Sequence, residues 1–220
     1  MLDVAPDLRD VVCLGVIRAD GVVVRGEAPD VWAEMDRVAA DLRARHGGKA
    51  PADIPELQSA RELYRRTGVD PTKVRPSSEA LLRRVLRGDP LYRINSLVDA
   101  INLCSLEFLL PIGLYDADRI VGPVTVRRGQ AGEAYESLGK GLFSVAGRLA
   151  LFDSRGPFGG PTNDSRRTAI TEQTTRCLVV IFAPGSYPAG RMGGHVQHAT
   201  RRLREFAQAA RVESAVVGGR

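Results

Sequence analysis

A chain of 220 residues with 44% apolar and 26% charged side chains has the composition of a folded globular protein, which excludes a disordered or collagen-like chain. No apolar run approaches the roughly 18 residues that a membrane span needs, and Met1–Asp7 lacks the charged and apolar regions of a secretory signal. The net charge of +5, with Lys49, Lys73 and Lys140 the only lysines among 31 basic residues, suits a nucleic-acid partner without demanding one.

In chain order, Val11–Arg18 and Val22–Arg25 are β-branched runs around Ala19-Asp20-Gly21. They predict a hairpin, or two successive strands, about a tight Asp-Gly turn. Asp30 is placed to cap a helix from Val31 to about His46, with Trp32, Met35, Val38, Ala39 and Leu42 on its core face and Gly47-Gly48 ending it. Pro55–Thr67 predicts a second helix, stopped at Gly68. Asp70–Pro76 is extended or turned, because each proline restricts the residue before it. Ser77 or Ser78 then caps a helix that ends at Gly88, and a fourth helix covers Ser96–Leu109 before Pro111. Short strands follow at Val124–Arg127, Leu149–Phe152 and Cys177–Phe182, separated by glycine-rich turns, and His195–Val212 predicts a last helix. Without a regular βαβ rhythm, the fold class is α+β: a mixed or antiparallel sheet flanked by helices, in a single domain spanning 1–220.

Cys13, Cys104 and Cys177 lie far apart in apolar runs, with no C-x-x-C spacing. They read as reduced core residues of a cytoplasmic protein, so no metal is expected. The only histidines are His46, His195 and His198, and there is no H-E-x-x-H, G-x-S-x-G or Walker loop. Four polar features remain. Asn95, Asp99 and Asn102 share one face of an otherwise apolar helix. They form either the polar wall of a pocket or a cap and loop tether. Asp116 and Asp118 suit an Asx-turn better than a calcium loop, which needs more oxygen ligands. Gly156–Gly160, followed by a polar stretch to Thr175, offers close backbone approach to an ester carbonyl or carboxylate, or is a surface loop. The final helix carries His195, His198, Arg201, Arg202, Arg204 and Arg211 against one acid, Glu205: a phosphate-binding or simply solvated face.

The order Asn95, Val98-Asp99, Asn102, Glu107, Pro111, Tyr115-Asp116-Ala117-Asp118, Ile120, Gly122 resembles the B3/B4 domain of bacterial phenylalanyl-tRNA synthetase β-chains. The likeness continues through Arg127, Gly132-Glu133, Gly147, Asp153, Gly156-Pro157 and Gly159-Gly160. Asp70-Pro71, Arg75–Leu81 and Asn163–Arg166 resemble freestanding B3/B4 proteins. The core of the likeness spans about residues 68–182. The resemblance implies editing: hydrolysis of the ester of a mischarged tRNA by a positioned water, with no metal, cofactor or covalent nucleophile. Freestanding members are associated with action in trans, including removal of the arginine mimic canavanine from tRNA(Arg).

Carried over residue by residue, the editing-site asparagine of the family falls on Asn102. The threonine before it falls on Ile101, and a pocket histidine falls on Gly113. The glutamate that reads the tyrosine hydroxyl has no counterpart at Asp164-Ser165-Arg166. The resemblance therefore implies a side chain other than tyrosine. Asn102, Asp99 and Asp164 are the expected catalytic groups, with Asn95, Ile101, Gly113, Gly156, Gly159, Gly160, Ser165 and Arg167 around the substrate. Asp99 or Asp164 is placed to pair a guanidinium-like group. Arg75, Arg83, Arg84, Arg201 and Arg202, with Arg61, Arg65, Arg66 and Lys73, are expected to hold the tRNA. A non-catalytic RNA- or amino-acid-binding module and a small-ester hydrolase are the alternatives.

Overall fold

The computed structural model describes residues 2–139 and 141–219. They run in the order β1 (Leu2–Val4), β2 (Val12–Asp20), α1 (Pro29–His46), α2 (Gln58–Arg66), α3 (Ser77–Leu86), α4 (Ser96–Phe108), β3 (Ile112–Asp116), β4 (Val124–Arg128), β5 (Ala134–Glu136), β6 (Leu142–Ser144), β7 (Leu149–Asp153), β8 (Gly156–Gly159), β9 (Arg176–Pro184), α5 (Ala189–Ala207) and β10 (Arg211–Gly218). The fold is α+β.

Two four-stranded sheets form, with orders β1-β4-β7-β8 and β10-β2-β9-β3, and β5 and β6 make a separate hairpin. Only β1 and β4 pair in parallel among the described strands, so the first sheet is mixed and the second antiparallel. β2 and β9 pair over their whole lengths, from Val12↔Pro184 to Asp20↔Arg176. Alternation then decides what each side chain meets. Cys13, Ile17, Val179 and Ile181 pack on Leu97, Ile101 and Cys104 of α4 and on Met192, Val196, Ala199 and Leu203 of α5. Leu14, Val16, Leu178, Val180 and Phe182 pack on Val124, Val126, Leu151 and Phe158 of the other sheet. Burial on both faces explains why β2 and β9 read as continuous apolar runs rather than alternating ones. A third cluster joins α1, α3 and α4 through Met35, Leu42, Leu82, Val85 and Leu103. The layers are therefore helix, sheet, sheet. α5 approaches β2 closely at Gly15, where an added Cβ would fall 2.7 Å from Val196 Cγ2.

Some local expectations need correction. Val22–Arg25 forms no strand. After the left-handed turn at Gly21, the Val22 N–H bonds Thr175 O and the Val23 N–H bonds Ala207 O, so this run is tethered to two other elements. The last helix runs over Ala189–Ala207, not to Val212. Gln208 turns left-handed at φ 54°, and Arg211–Gly218 then pairs antiparallel with β2. The Ala210 N–H bonds Asp20 O beside that strand. Asp30 is a first-turn residue paired with Arg25 rather than the cap of α1, and α3 starts after Pro76 without a serine cap. α2 starts at Gln58, preceded by a 3-10 turn over Pro55–Leu57.

Candidate functional site

The residues with unspent chemistry converge on the segment that leaves β8. Gly159 and Asp164 form an isolated bridge, and Ser165 N–H bonds Phe158 O, so Gly160–Asn163 bulges outward as a tight loop. Two tyrosines grip it. Tyr64 of α2 donates to Pro161 O at 2.7 Å and accepts from Thr162 Oγ1 at 3.1 Å. Tyr135 of β5 donates to Asn163 O at 2.5 Å. The β5–β6 hairpin docks beside it, since Leu138 N–H bonds Asp164 O. A cavity of about 160 Å³ opens here, lined by Ser77, Ile112, Leu138, Gly160, Pro161, Thr162, Asn163 and Asp164.

Asp164 is the ionisable group of this cavity. Its Oδ1 is buried and accepts no hydrogen bond. Burial pushes the carboxyl up to about 7, against the opposing pull of the Tyr115 hydroxyl and the Gly160 N–H. Tyr115 is itself fully buried, edge-on to Phe158 with ring centroids 5.0 Å apart. Burial first, and then the nearby Asp164 charge, raise the Tyr115 phenol well above its ordinary value. Its hydroxyl closes no hydrogen bond of ordinary geometry. An unsatisfied buried acceptor costs on the order of 1–3 kcal/mol, so a ligand that donates to Asp164 gains that interaction.

The remaining expected site residues divide by location. Gly160 lines the cavity and Gly159 lies behind it; Cβ atoms there would meet Leu149 O at 2.9 Å and the Tyr115 ring at 2.2 Å respectively. Gly113 lies under the same ring, on β3. Ser165 Oγ caps the following 3-10 turn at Arg167 N–H. Arg167 pairs with Asp153 through two hydrogen bonds of 2.8 and 2.9 Å and also reaches Arg119 O, which ties the 3-10 turn at 166–168 to the end of β7 and to the turn after β3. Gly156 makes the β7–β8 turn at φ 115°.

The α4 residues stand apart from this cavity. Asn95 Oδ1 caps α4 at Val98 N–H, and buried Asp99 accepts from Trp32 Nε1 at 2.9 Å and Ile94 N–H at 3.0 Å. Burial raises the Asp99 carboxyl, and these donors partly offset it. Ile101 is core. Asn102 is half-buried, and no hydrogen bond reaches its amide among the described residues.

Of the arginines expected at RNA, Arg75 and Arg201 are exposed. Arg83 pairs with Glu79 at 3.0 Å. Arg202 is held from inside by Glu34 at 2.6 Å and Glu107 at 2.7 Å, and Arg84 lies over Tyr92. Among the described residues, no three His, Cys, Asp or Glu side chains gather as a metal site requires. Sequence reasoning missed Tyr64, Tyr115 and Tyr135 as shapers of the site. Their separation along the chain left only the Tyr115-Asp116 motif as a signal.

A family model described as the B3/4 domain matches residues 59–205, beyond both ends of the stretch the motifs delimited. The phenylalanine–tRNA ligase β subunit of Rhodospirillum rubrum is 30% identical over 190 residues, covering 80% of this chain and 24% of that protein. The corresponding subunit of Bartonella quintana is 30% identical over 93 residues, covering 39% of this chain and 11% of its own. The chain thus spans a quarter or less of the curated relatives it matches. An N-terminal fragment of the phenylalanyl-tRNA synthetase β-subunit from Pyrococcus horikoshii superposes with a TM-score of 0.44 at 12% identity, over 92% of this chain and 48% of that one. By the extent of the family match, this chain belongs to the B3/4 domain family.

Proposed function

We propose that this protein is a cytoplasmic aminoacyl-tRNA deacylase that acts in trans on mischarged tRNA. The observation that carries the reading is the Asp164 carboxyl, whose buried Oδ1 accepts no hydrogen bond, in a cavity lined by Gly160 and the loop backbone. A carboxyl near 7 suits general-base catalysis at neutral pH, worth about 10²–10⁴-fold. In this mechanism Asp164 accepts a proton from a water in the cavity. The water oxygen bonds to the ester carbonyl carbon, and the bond from that carbon to the ribose oxygen breaks. Free amino acid and the tRNA hydroxyl result, the latter taking up the proton. The Thr162 and Asn163 N–H groups of the loop are candidates to steady the oxyanion.

The glycine at 113 and the buried isoleucine at 101 leave no polar reader for a tyrosine side chain. Canavanyl-tRNA(Arg) is therefore the first substrate to test. The experiment presents a panel of mischarged tRNAs, each with a labelled amino acid, to the native protein and to Asp164→Asn. Release of one amino acid by the native protein, with loss of about 10²-fold or more in the variant, is expected. Tight tRNA binding without release from any tRNA would instead make the chain a non-catalytic binding module. Equal turnover of free aminoacyl esters would make it a small-ester hydrolase.

A further inference from the structure

The segment between α3 and α4 carries a second surface that the ester chemistry does not use. Tyr92 and Ile94 stand out at 56% and 55% exposure. The Arg84 guanidinium lies 4.3 Å from the centre of the Tyr92 ring, donating to Pro90 O and to the Tyr92 hydroxyl. No carboxylate pairs with Arg84 among the described residues, so its charge is uncompensated. On the other side of the loop, the Arg93 guanidinium lies 4.9 Å from the centre of the Trp32 ring, with Asp36 at 3.5 Å. Asp99 fixes that ring through its indole N–H and fixes the loop through Ile94 N–H. Beside it opens a slot of about 380 Å³ lined by Trp32, Met35, Asp36, Pro90, Leu91 and Arg93.

Two aromatic faces, each with an arginine, beside an open slot of mixed apolar and charged lining match what unpaired nucleotides need. A base stacks on a ring or guanidinium plane, and a phosphate meets the cation. A duplex, whose bases are already stacked, cannot use such a surface. α3 links it to the cavity: Ser77 lines the cavity, and Arg84 is seven residues further on, about 10 Å along a helix axis. We propose that Arg84, Tyr92, Trp32 and Arg93 form a stacking platform for the unpaired nucleotides of an RNA end whose terminal ester lies in the Asp164 cavity. The placement of the ester rests on the deacylase reading above; the stacking surface does not.

Trp32 is the only tryptophan in the chain, so its fluorescence reports on the platform directly. A single-stranded RNA tetranucleotide should quench it, and a blunt RNA duplex of equal phosphate concentration should not. Tyr92→Ala and Arg84→Gln should each weaken tetranucleotide binding about tenfold or more, while Tyr92→Phe, which keeps the ring, should bind like the native chain. Tyr92→Ala should also raise KM for aminoacyl-tRNA and leave turnover of a free aminoacyl ester unchanged. Equal quenching by duplex, or unchanged affinity in both Tyr92→Ala and Arg84→Gln, would overturn the platform. If deacylation persists in that case, the deacylase reading stands without it. If no aminoacyl-tRNA is hydrolysed yet Tyr92→Ala loses tetranucleotide binding, the deacylase reading falls and the stacking surface remains.

Discussion

The phenol of Tyr115 occupies the space that a side chain at Gly113 would need: a Cβ at position 113 would lie 2.0 Å from the Tyr115 hydroxyl oxygen. Both residues project from one face of β3, and Gly159 of β8 closes the other side of the ring with a Cβ position 2.2 Å from Cε1. Two glycines thus hold the phenol where it faces Asp164. Where the family resemblance implies a polar side chain at 113, the Tyr115 phenol fills that space in this chain. Gly113→Ala should force the ring aside and destabilise the fold by about 1–3 kcal/mol, as overpacking does. Urea unfolding measures this, and a loss below about 0.5 kcal/mol would show that the ring yields freely.

The pH behaviour of Asp164 follows from its raised folded value. Unfolded, the carboxyl ionises near 3.8; folded, it ionises at about 7. The folded state therefore holds the proton more tightly, and Asp164 lowers stability increasingly from about pH 4 to pH 7. Asp164→Asn should be more stable than the native chain at pH 8 by up to a few kcal/mol and equal to it near pH 3. Activity runs the other way, because the carboxylate is the base. Deacylation should rise through pH 7 and level off above it. The Tyr115 hydroxyl favours the ionised form, so Tyr115→Phe should move the midpoint of that rise upward. A pH–rate profile of both proteins tests this, and a midpoint that moves down would remove Tyr115 from the role.

The burial pattern of β2 and β9 was legible as long apolar runs, and α1, α3 and α4 as periodic faces with glycine or proline stops. β10 was not legible. It is an edge strand with exposed residues at Glu213, Ser214 and Ala215, so no regular alternation of apolar and polar residues marks it. β3, β5, β6 and β8 have only three to five residues each, too few for a period to show. At the candidate site, Asp164 and Gly160 could be named from the motif. The tyrosines could not, because Tyr64, Tyr115 and Tyr135 meet only once two sheets and a helix have packed. Asp99 looked like a pocket carboxylate for the same reason: nothing local says that Trp32, 67 residues earlier, donates to it.

The buried ion pair between α2 and α3 gives a stability prediction independent of any ligand. Arg61 donates to Glu79 at 2.8 and 3.0 Å, both residues are buried, and Arg83 adds a third hydrogen bond from the helix surface. Burial pulls the Glu79 carboxyl upward, but the two guanidiniums prevail and hold it below its ordinary value. Glu79→Ala leaves Arg61 charged and unpaired in the interior, which should cost about 3–5 kcal/mol. The depressed value sets the sign with pH. The pair's contribution is present above about pH 4.5 and is lost as pH falls through the folded value. Thermal unfolding of native and variant chains across pH 3–7 should therefore converge at the acid end.

Arg202 and Arg84 should separate two roles that their residue type makes look alike. Arg202 has a side chain only 12% exposed, hydrogen-bonded to Glu34 of α1 and Glu107 of α4, with Glu205 at 3.3 Å on its own helix. It joins three helices. Arg37 first, with Arg202 adding to it, holds Glu34 at about 2. Arg202→Met leaves Glu107 and Glu34 without that partner and should destabilise the fold by about 3 kcal/mol at pH 7. The Glu34 part of that loss should fade as pH falls from 4.5 towards 2. Because acids already surround the guanidinium, the same variant should leave the salt dependence of RNA binding unchanged. Arg84→Gln should do the reverse, with the unfolding free energy within about 0.5 kcal/mol of native and the slope of log affinity against log salt reduced by about one. Measuring both quantities on both variants decides the assignment, and a reduced salt slope in Arg202→Met would return that residue to the RNA-binding face.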